Sequence, residues 1–217
     1  VDTSQMFPIS DVTFVGDLKH VDANELKRVA GGIKGSMLRT DLAEVRAVMR
    51  QIPWVRTADV RRRFPSTLEV SVEEHQPFAH WKSAQGGRRE LVNTLGEVFV
   101  ADFDESLPIF SGPQGTSKEV LAGYTAFKTQ LAATGRSPVE VTLSARRAWA
   151  LKLDSGTTLE LGRSEAGERL DRFVRAYVAV PALKIANARV DMRYQSGLAL
   201  KTALDTGAKT AKKTTKS

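Results

Sequence analysis

Three histidines, His20, His75 and His80, and the adjacent carboxylates Glu73 and Glu74 have the right chemistry for metal ligation or proton transfer. Their spacing argues against both. His75 and His80 are not a helical pair on one face, and Pro77 between them interrupts a strand ladder. Glu73 and Glu74 are neighbours in a strand-like run, so their side chains point to opposite faces and cannot share one substrate. Gly31-Gly32-Ile33-Lys34-Gly35-Ser36 has the composition of a phosphate cradle, but it follows a helical pattern and its lysine precedes the last glycine. No G-x-S-x-G elbow, H-E-x-x-H zinc motif or Walker loop is present. Nor is there a cysteine, which excludes disulfides, zinc–thiolate sites, iron–sulfur clusters and thiol nucleophiles. The sequence therefore offers no catalytic residue, no cofactor site and no metal site.

Binding chemistry is the remaining option. The run Ala188–Leu200 reads as one late strand with Val190, Met192 and Tyr194 on a common face. Arg193 and Tyr194 are of types enriched at binding hot spots, and Gly197 weakens or bends the strand. A C-terminal strand of this kind often borders its sheet, where free amides and carbonyls can pair with another chain. The net charge of +7 and the isoelectric point near 9.8 raise nucleic acid as an alternative partner. From Lys201 onward, however, five lysines face Asp205 alone, a local +4 that leaves +3 for the preceding 200 residues. Lysine-rich ends without aromatics carry no stacking or base-reading chemistry, so no nucleic-acid partner is expected. A second basic knot, Arg61-Arg62-Arg63, is readable as a surface contact or as charge that discourages edge pairing.

The 217 residues, 41% apolar and 26% charged, can bury one large core or two modest ones. No apolar run approaches the roughly 18–20 residues that cross a bilayer. The first residue is valine, so a segment upstream, processed away or left out, is expected. Ile9–Val15 predicts a strand. Asp22 and Asp41 predict helix starts, one carrying Leu26 and Val29 and stopping at Gly31-Gly32, the other carrying Leu42, Val45, Val48, Met49 and Ile52. Thr57–Phe64 and Thr67–Glu74 follow as strands around Pro65-Ser66, which gives β-α-α-β-β with both helices on one face. Strand signals then dominate. They comprise a turn at Gly86-Gly87, a hairpin around Leu95-Gly96, Leu107–Phe110, alternating Val139, Val141 and Leu143, then Trp149–Leu153 and Thr158–Leu161. Two helices interrupt them, one capped by Ser117 and one from about Glu165 to Val180. Thr206–Ser217, with alanine as its only apolar residue, is expected to be disordered.

Gln51-Ile-Pro-Trp-Val-Arg-Thr-Ala-Asp-Val-Arg-Arg-Arg-Phe-Pro-Ser-Thr-Leu-Glu-Val70 and Glu74-His-Gln-Pro77-Phe-Ala-His-Trp81 together resemble the POTRA module, in its FtsQ/DivIB version. Leu91–Phe99, Phe110–Gly115, Ser144–Trp149 and Val190–Gly197 follow in the order of the FtsQ-type second domain. The resemblance spans residues 7–200 and implies an α+β fold. It comprises a POTRA domain over residues 1–80, a strand-rich, mainly antiparallel β domain with two helices over 81–200, and a basic tail over 201–217 that the family pattern does not explain. It further implies a non-catalytic scaffold without cofactor. This would be the periplasmic region of a single-pass inner-membrane protein at the division septum, with its membrane helix upstream of Val1. The implied partners are FtsB and FtsL, and beyond them FtsW, FtsI, FtsK and FtsN. The implied FtsB-binding surface is Arg193, Tyr194, Gln195, Ser196 and Gly197 on the last strand, with Arg146 beside it and Arg172 on the preceding helix. The resemblance also implies a second, lesser surface for other division proteins at Thr57, Val60 and Arg62. The alternative is a POTRA chaperone module of an outer-membrane insertase or secretion system.

Overall fold

The computed structural model describes residues 7–83 and 90–202. The expected turn at Gly86-Gly87 and the expected disorder of Thr206–Ser217 lie outside the described residues. The chain divides into two compact units, one made of Val1–Pro77 with Phe99–Ala101, the other of Phe78–Val98 with Asp102–Ser217.

In the first unit the elements are β1 (Asp11–Val15), α1 (Ala23–Gly31), α2 (Leu42–Met49), β2 (Val55–Arg63) and β3 (Thr67–Glu74). Each helix begins where the sequence places an aspartate. The Asp22 carboxylate accepts from the Asn24 amide and the Asp41 carboxylate from that of Ala43, both at 2.8 Å, so each satisfies an amide that the helix leaves open. The sheet order is β1-β3-β2, with β1 parallel and β2 antiparallel to β3. Alternation along β3 buries Leu68, Val70 and Val72, which pack with Leu26, Val45, Met49 and Val60 in a single core.

The same alternation buries Glu74, which is only 5% exposed. Its carboxylate accepts from the amides of Lys19 and His20 at 3.0 Å and from that of Val21 at 2.7 Å. Burial alone would raise its pKa. The hydrogen bonds from Val21, Lys19 and His20 outweigh that and hold the group below its ordinary value.

The second sheet contains β4 (Pro77–Ser83), β5 (Glu90–Asn93), β6 (Val98–Val100), β7 (Ile109–Gly112), β8 (Pro138–Leu143), β9 (Trp149–Leu153), β10 (Thr158–Gly162), β11 (Arg189–Asp191) and β12 (Ala199–Lys201). Their order is β12-β11-β10-β9-β8-β7-β4-β5-β6. The expected strand-rich domain with two helices is found, with antiparallel pairs at β8–β9, β9–β10 and β11–β12. The sheet is mixed, because β4–β7, β7–β8 and β10–β11 are parallel. Parallel neighbours need a crossover. Helix α3 (Ser117–Leu131) supplies it between β7 and β8, and α4 (Ala166–Ala179) between β10 and β11.

Phe110, Val120, Phe127, Leu151, Leu159, Leu170 and Phe173 form the core beneath these helices. Helix α3 begins after Thr116, without a side-chain cap. The expected capping residue, Ser117, instead donates to the Gly96 carbonyl at 2.7 Å. Val139 is 37% exposed while Val141 and Leu143 are buried, because a bulge between Pro138 and Glu140 shifts the alternation by one residue.

Candidate partner-binding site

Strands β8 and β10 run in the same direction, both antiparallel to β9, and β11 is parallel to β10. The segments that leave these three strands therefore emerge at one end of the sheet, and each carries arginine. Arg146 and Arg147 occupy the β8–β9 turn, Arg163 follows β10, and Arg193 follows β11. With Arg169 of α4 they line an open cleft of about 720 Å³. Arg147 adopts a φ of 66°, in the left-handed region, and reaches Glu119. Arg169 donates to the Leu161 carbonyl at 2.7 Å. Gly162 has a φ of 80°, and a Cβ there would lie 2.6 Å from Arg169 Nη1 and 3.2 Å from Arg193 Cγ, so only glycine lets both side chains close over the strand end.

The expectation of one strand over Ala188–Leu200 with a free flank does not hold. The run is two strands, β11 and β12, paired antiparallel with Val190 opposite Leu200, and the other flank of β11 is already paired with β10. Three buried neighbours, Ala188, Val190 and Met192, anchor β11, and Gly197 at φ 128° helps the chain turn back. Arg193, Tyr194, Gln195, Ser196 and Gly197 are therefore loop residues, all exposed. Among the described strands β12, Ala199–Lys201, borders the sheet on this side, and β6 borders it on the other.

This loop is held from below. The Arg172 guanidinium on α4 donates to the carbonyls of Gln195 (2.8 Å), Tyr194 (2.7 Å) and Met192 (3.0 Å). Arg172 was expected to touch a partner; instead its fork is engaged within the molecule, because α4 packs directly beneath the turn. Arg193 is likewise committed. Its Nε and Nη2 donate to the two oxygens of Asp191 at 2.8 and 2.6 Å. These bonds pull the Asp191 carboxyl down to about 2 against the opposing effect of burial, and they raise the Arg193 pKa. Tyr194 has its carbonyl fixed by Arg172 while its side chain projects, 57% of the residue being exposed. Among the described residues, Arg146 and Arg163 have no ion-pair or hydrogen-bond partner.

Sequence reasoning placed Arg146 and Arg193 at this site and missed Arg147, Arg163, Arg169 and Asp191. The available signal was an arginine just past the end of each of three strands, which becomes meaningful only once those strands run the same way.

The second predicted surface does not assemble. Val60 is 2% exposed and belongs to the core, because β2 turns its even positions toward the helices. Arg62 donates inward, to the carbonyls of Met37 and of Thr40. Thr57 is exposed and bonds to Glu73 at 3.1 Å. Arg61 and Arg63 on this border strand pair with Asp59 and Glu69, a charged edge of the sort that resists unwanted strand pairing.

The histidines do not converge either. His20 stacks on Trp54, His75 stacks on Phe99, and His80 Nε2 lies 3.1 Å from the Glu105 carbonyl. Among the described residues no group of three His, Asp or Glu side chains is placed to hold a metal, and no helix is long and apolar enough to cross a membrane.

A β-α-α-β-β unit and a mixed sheet ending in a short border strand, with an arginine-lined cleft at one end of that sheet, define a two-domain α+β chain. The FtsQ-type POTRA domain model matches residues 7–75, and that of the C-terminal domain of cell division protein FtsQ/DivIB matches residues 79–193. The chain is 40% identical over 186 residues to the cell division protein FtsQ of Nitrosospira multiformis, covering 85% of this chain and 77% of the relative. It is 38% identical to the FtsQ of Burkholderia pseudomallei, over 91% of this chain and 80% of that one, and 38% to that of Neisseria meningitidis, over 93% and 85%. The chain belongs to the FtsQ/DivIB family of cell-division proteins.

Proposed function

We propose that this chain is a non-catalytic scaffold of the bacterial divisome that recruits FtsB and FtsL, and through them the septal peptidoglycan synthesis proteins. It would act as the periplasmic region of a single-pass inner-membrane protein. A partner segment extends the sheet along the outer flank of β12, its main-chain groups pairing where no described strand does. Acidic side chains of the partner enter the cleft toward Arg146 and Arg163, which are charged and uncommitted. Tyr194 supplies an exposed aromatic anchor on a loop that is already held in place. The observation that carries this reading is the position of the border strand beside the arginine cleft, at the end of a continuous sheet.

The test is hydrogen exchange with an FtsB periplasmic segment. Binding is expected to slow exchange of amides in Ala199–Lys201. Tyr194→Ala is expected to weaken binding by ~2 kcal/mol, measured by calorimetry. Binding that leaves the β12 amides exchanging as before would refute strand addition, and no binding at all would refute the choice of partner.

A further inference from the structure

The first unit exposes three large apolar residues at one end: Phe7 at 41%, Leu38 at 52% and Phe64 at 60%. They come from three separate chain segments that the fold locks together. The Phe7 and Phe64 rings meet edge to face with centroids 6.2 Å apart. The Met37 amide donates to the Phe7 carbonyl at 2.7 Å, and Pro8 bridges to Ser36. Ser10 bonds through its hydroxyl and its amide to Ser66 in the β2–β3 turn. Arg62 straps the 37–40 loop to β2 through the carbonyls of Met37 and Thr40. Phe7 itself sits at a φ of 57°, an uncommon backbone state for a bulky side chain, maintained while its ring stays in solvent.

We propose that this tip docks onto an anionic phospholipid bilayer surface. The segments 34–40 and 61–64 contain Lys34, Arg39, Arg61, Arg62 and Arg63 and no acidic residue. Apolar side chains rimmed by cations match the bilayer interface, where rings pass the headgroups and guanidinium groups meet phosphates. Arg61 and Arg63 pair with Asp59 and Glu69 in solvent, and exposed pairs are weak enough to exchange a carboxylate for a lipid phosphate. A peptide strand fits less well, because backbone groups at this tip, including the Phe7 and Ser66 carbonyls and the Ile9 and Ser10 amides, are already bonded.

The test uses the full chain with vesicles of phosphatidylcholine alone and of an equimolar mixture with phosphatidylglycerol. Lys209, Lys212, Lys213 and Lys216 add attraction by charge alone, so a local probe is needed. Read as the difference from the native chain, whose Trp54, Trp81 and Trp149 also emit, the indole introduced by Phe64→Trp is expected to show a blue-shifted emission on the mixed vesicles and quenching by brominated lipid. The combined Phe7→Ser, Leu38→Ser and Phe64→Ser variant is expected to partition roughly tenfold less. Equal sedimentation of native chain and triple variant would overturn the proposal. So would a Phe64→Trp emission whose difference from that of the native chain is neither shifted nor quenched, which decides the matter even if the triple variant fails to fold. A third refuting outcome is no vesicle affinity together with concentration-dependent self-association that the triple variant abolishes, which would make the tip a protein contact.

Discussion

Arg172 offers the sharpest separation between a residue that touches a partner and one that shapes the surface a partner meets. Its guanidinium donates three hydrogen bonds into the Met192–Gln195 backbone. Bonds from a charged donor contribute about 1.5–3 kcal/mol each when the acceptor is left buried and unpaired. Here the Tyr194 and Gln195 carbonyls are exposed and rehydrate when the side chain is removed, so a value near 1 kcal/mol per bond is appropriate, about 3 kcal/mol in all. That energy holds one loop rather than the whole domain. Arg172→Ala should therefore free the loop while leaving the core melt within a few degrees, since Leu170 and Phe173 on the same helix stay buried.

Hydrogen exchange of amides 193–198 should accelerate by roughly 100-fold, and affinity for an FtsB segment should fall by up to the same factor. Arg172→Lys is the decisive control. If Arg172 met an acidic partner residue directly, lysine would restore most of the affinity. A positioning role predicts that lysine, a point donor that cannot span three carbonyls, rescues little. Unchanged exchange in Arg172→Ala, or full rescue by lysine, would refute the reasoning.

Other consequences follow from the same geometry. Glu74→Gln replaces one acceptor oxygen by a donor group and sets it against amides of Lys19, His20 and Val21, so the first unit should lose about 2–3 kcal/mol in urea denaturation. Because the Glu74 pKa is lowered in the folded state, its contribution is present above the ordinary carboxylate range and is lost as pH falls below it; in the glutamine variant that part of the acid dependence should disappear. The Asp191 carboxyl, held at about 2, should titrate there by carbon-detected NMR and keep Arg193 in place until pH falls from about 4 toward 2, whereas a midpoint near 4 would show that the pair does not persist in solution. Gly162→Ala forces a left-handed alanine and pushes the ends of Arg169 and Arg193 aside, which should cost about 1–2 kcal/mol by thermal melting and alter the arginine cleft.

What the sequence determined on its own was local. Asp22 and Asp41 mark helix starts because a short carboxylate satisfies an open amide wherever the chain turns into a helix. The alternation of Leu68, Val70 and Val72 fixes which face of β3 is buried, whatever lies on the other side of the core. The motif strings of both domains likewise carry the family, since they depend on order along the chain. The tertiary structure decided matters that depend on distant partners. One alternating run over Ala188–Leu200 became two paired strands with an exposed loop between them, because β11 is filled on one side by β10 and on the other by its own chain doubling back. Val60 reads like its neighbours in a strand, yet the helices cover its face, and Arg62 found carbonyls 25 and 22 residues away in sequence to bind. The arginine cleft exists only because two successive antiparallel turns, β8–β9 and β9–β10, and the α4 crossover make β8, β10 and β11 point the same way, and strand direction is set by the path of the chain between strands rather than by the residues within them.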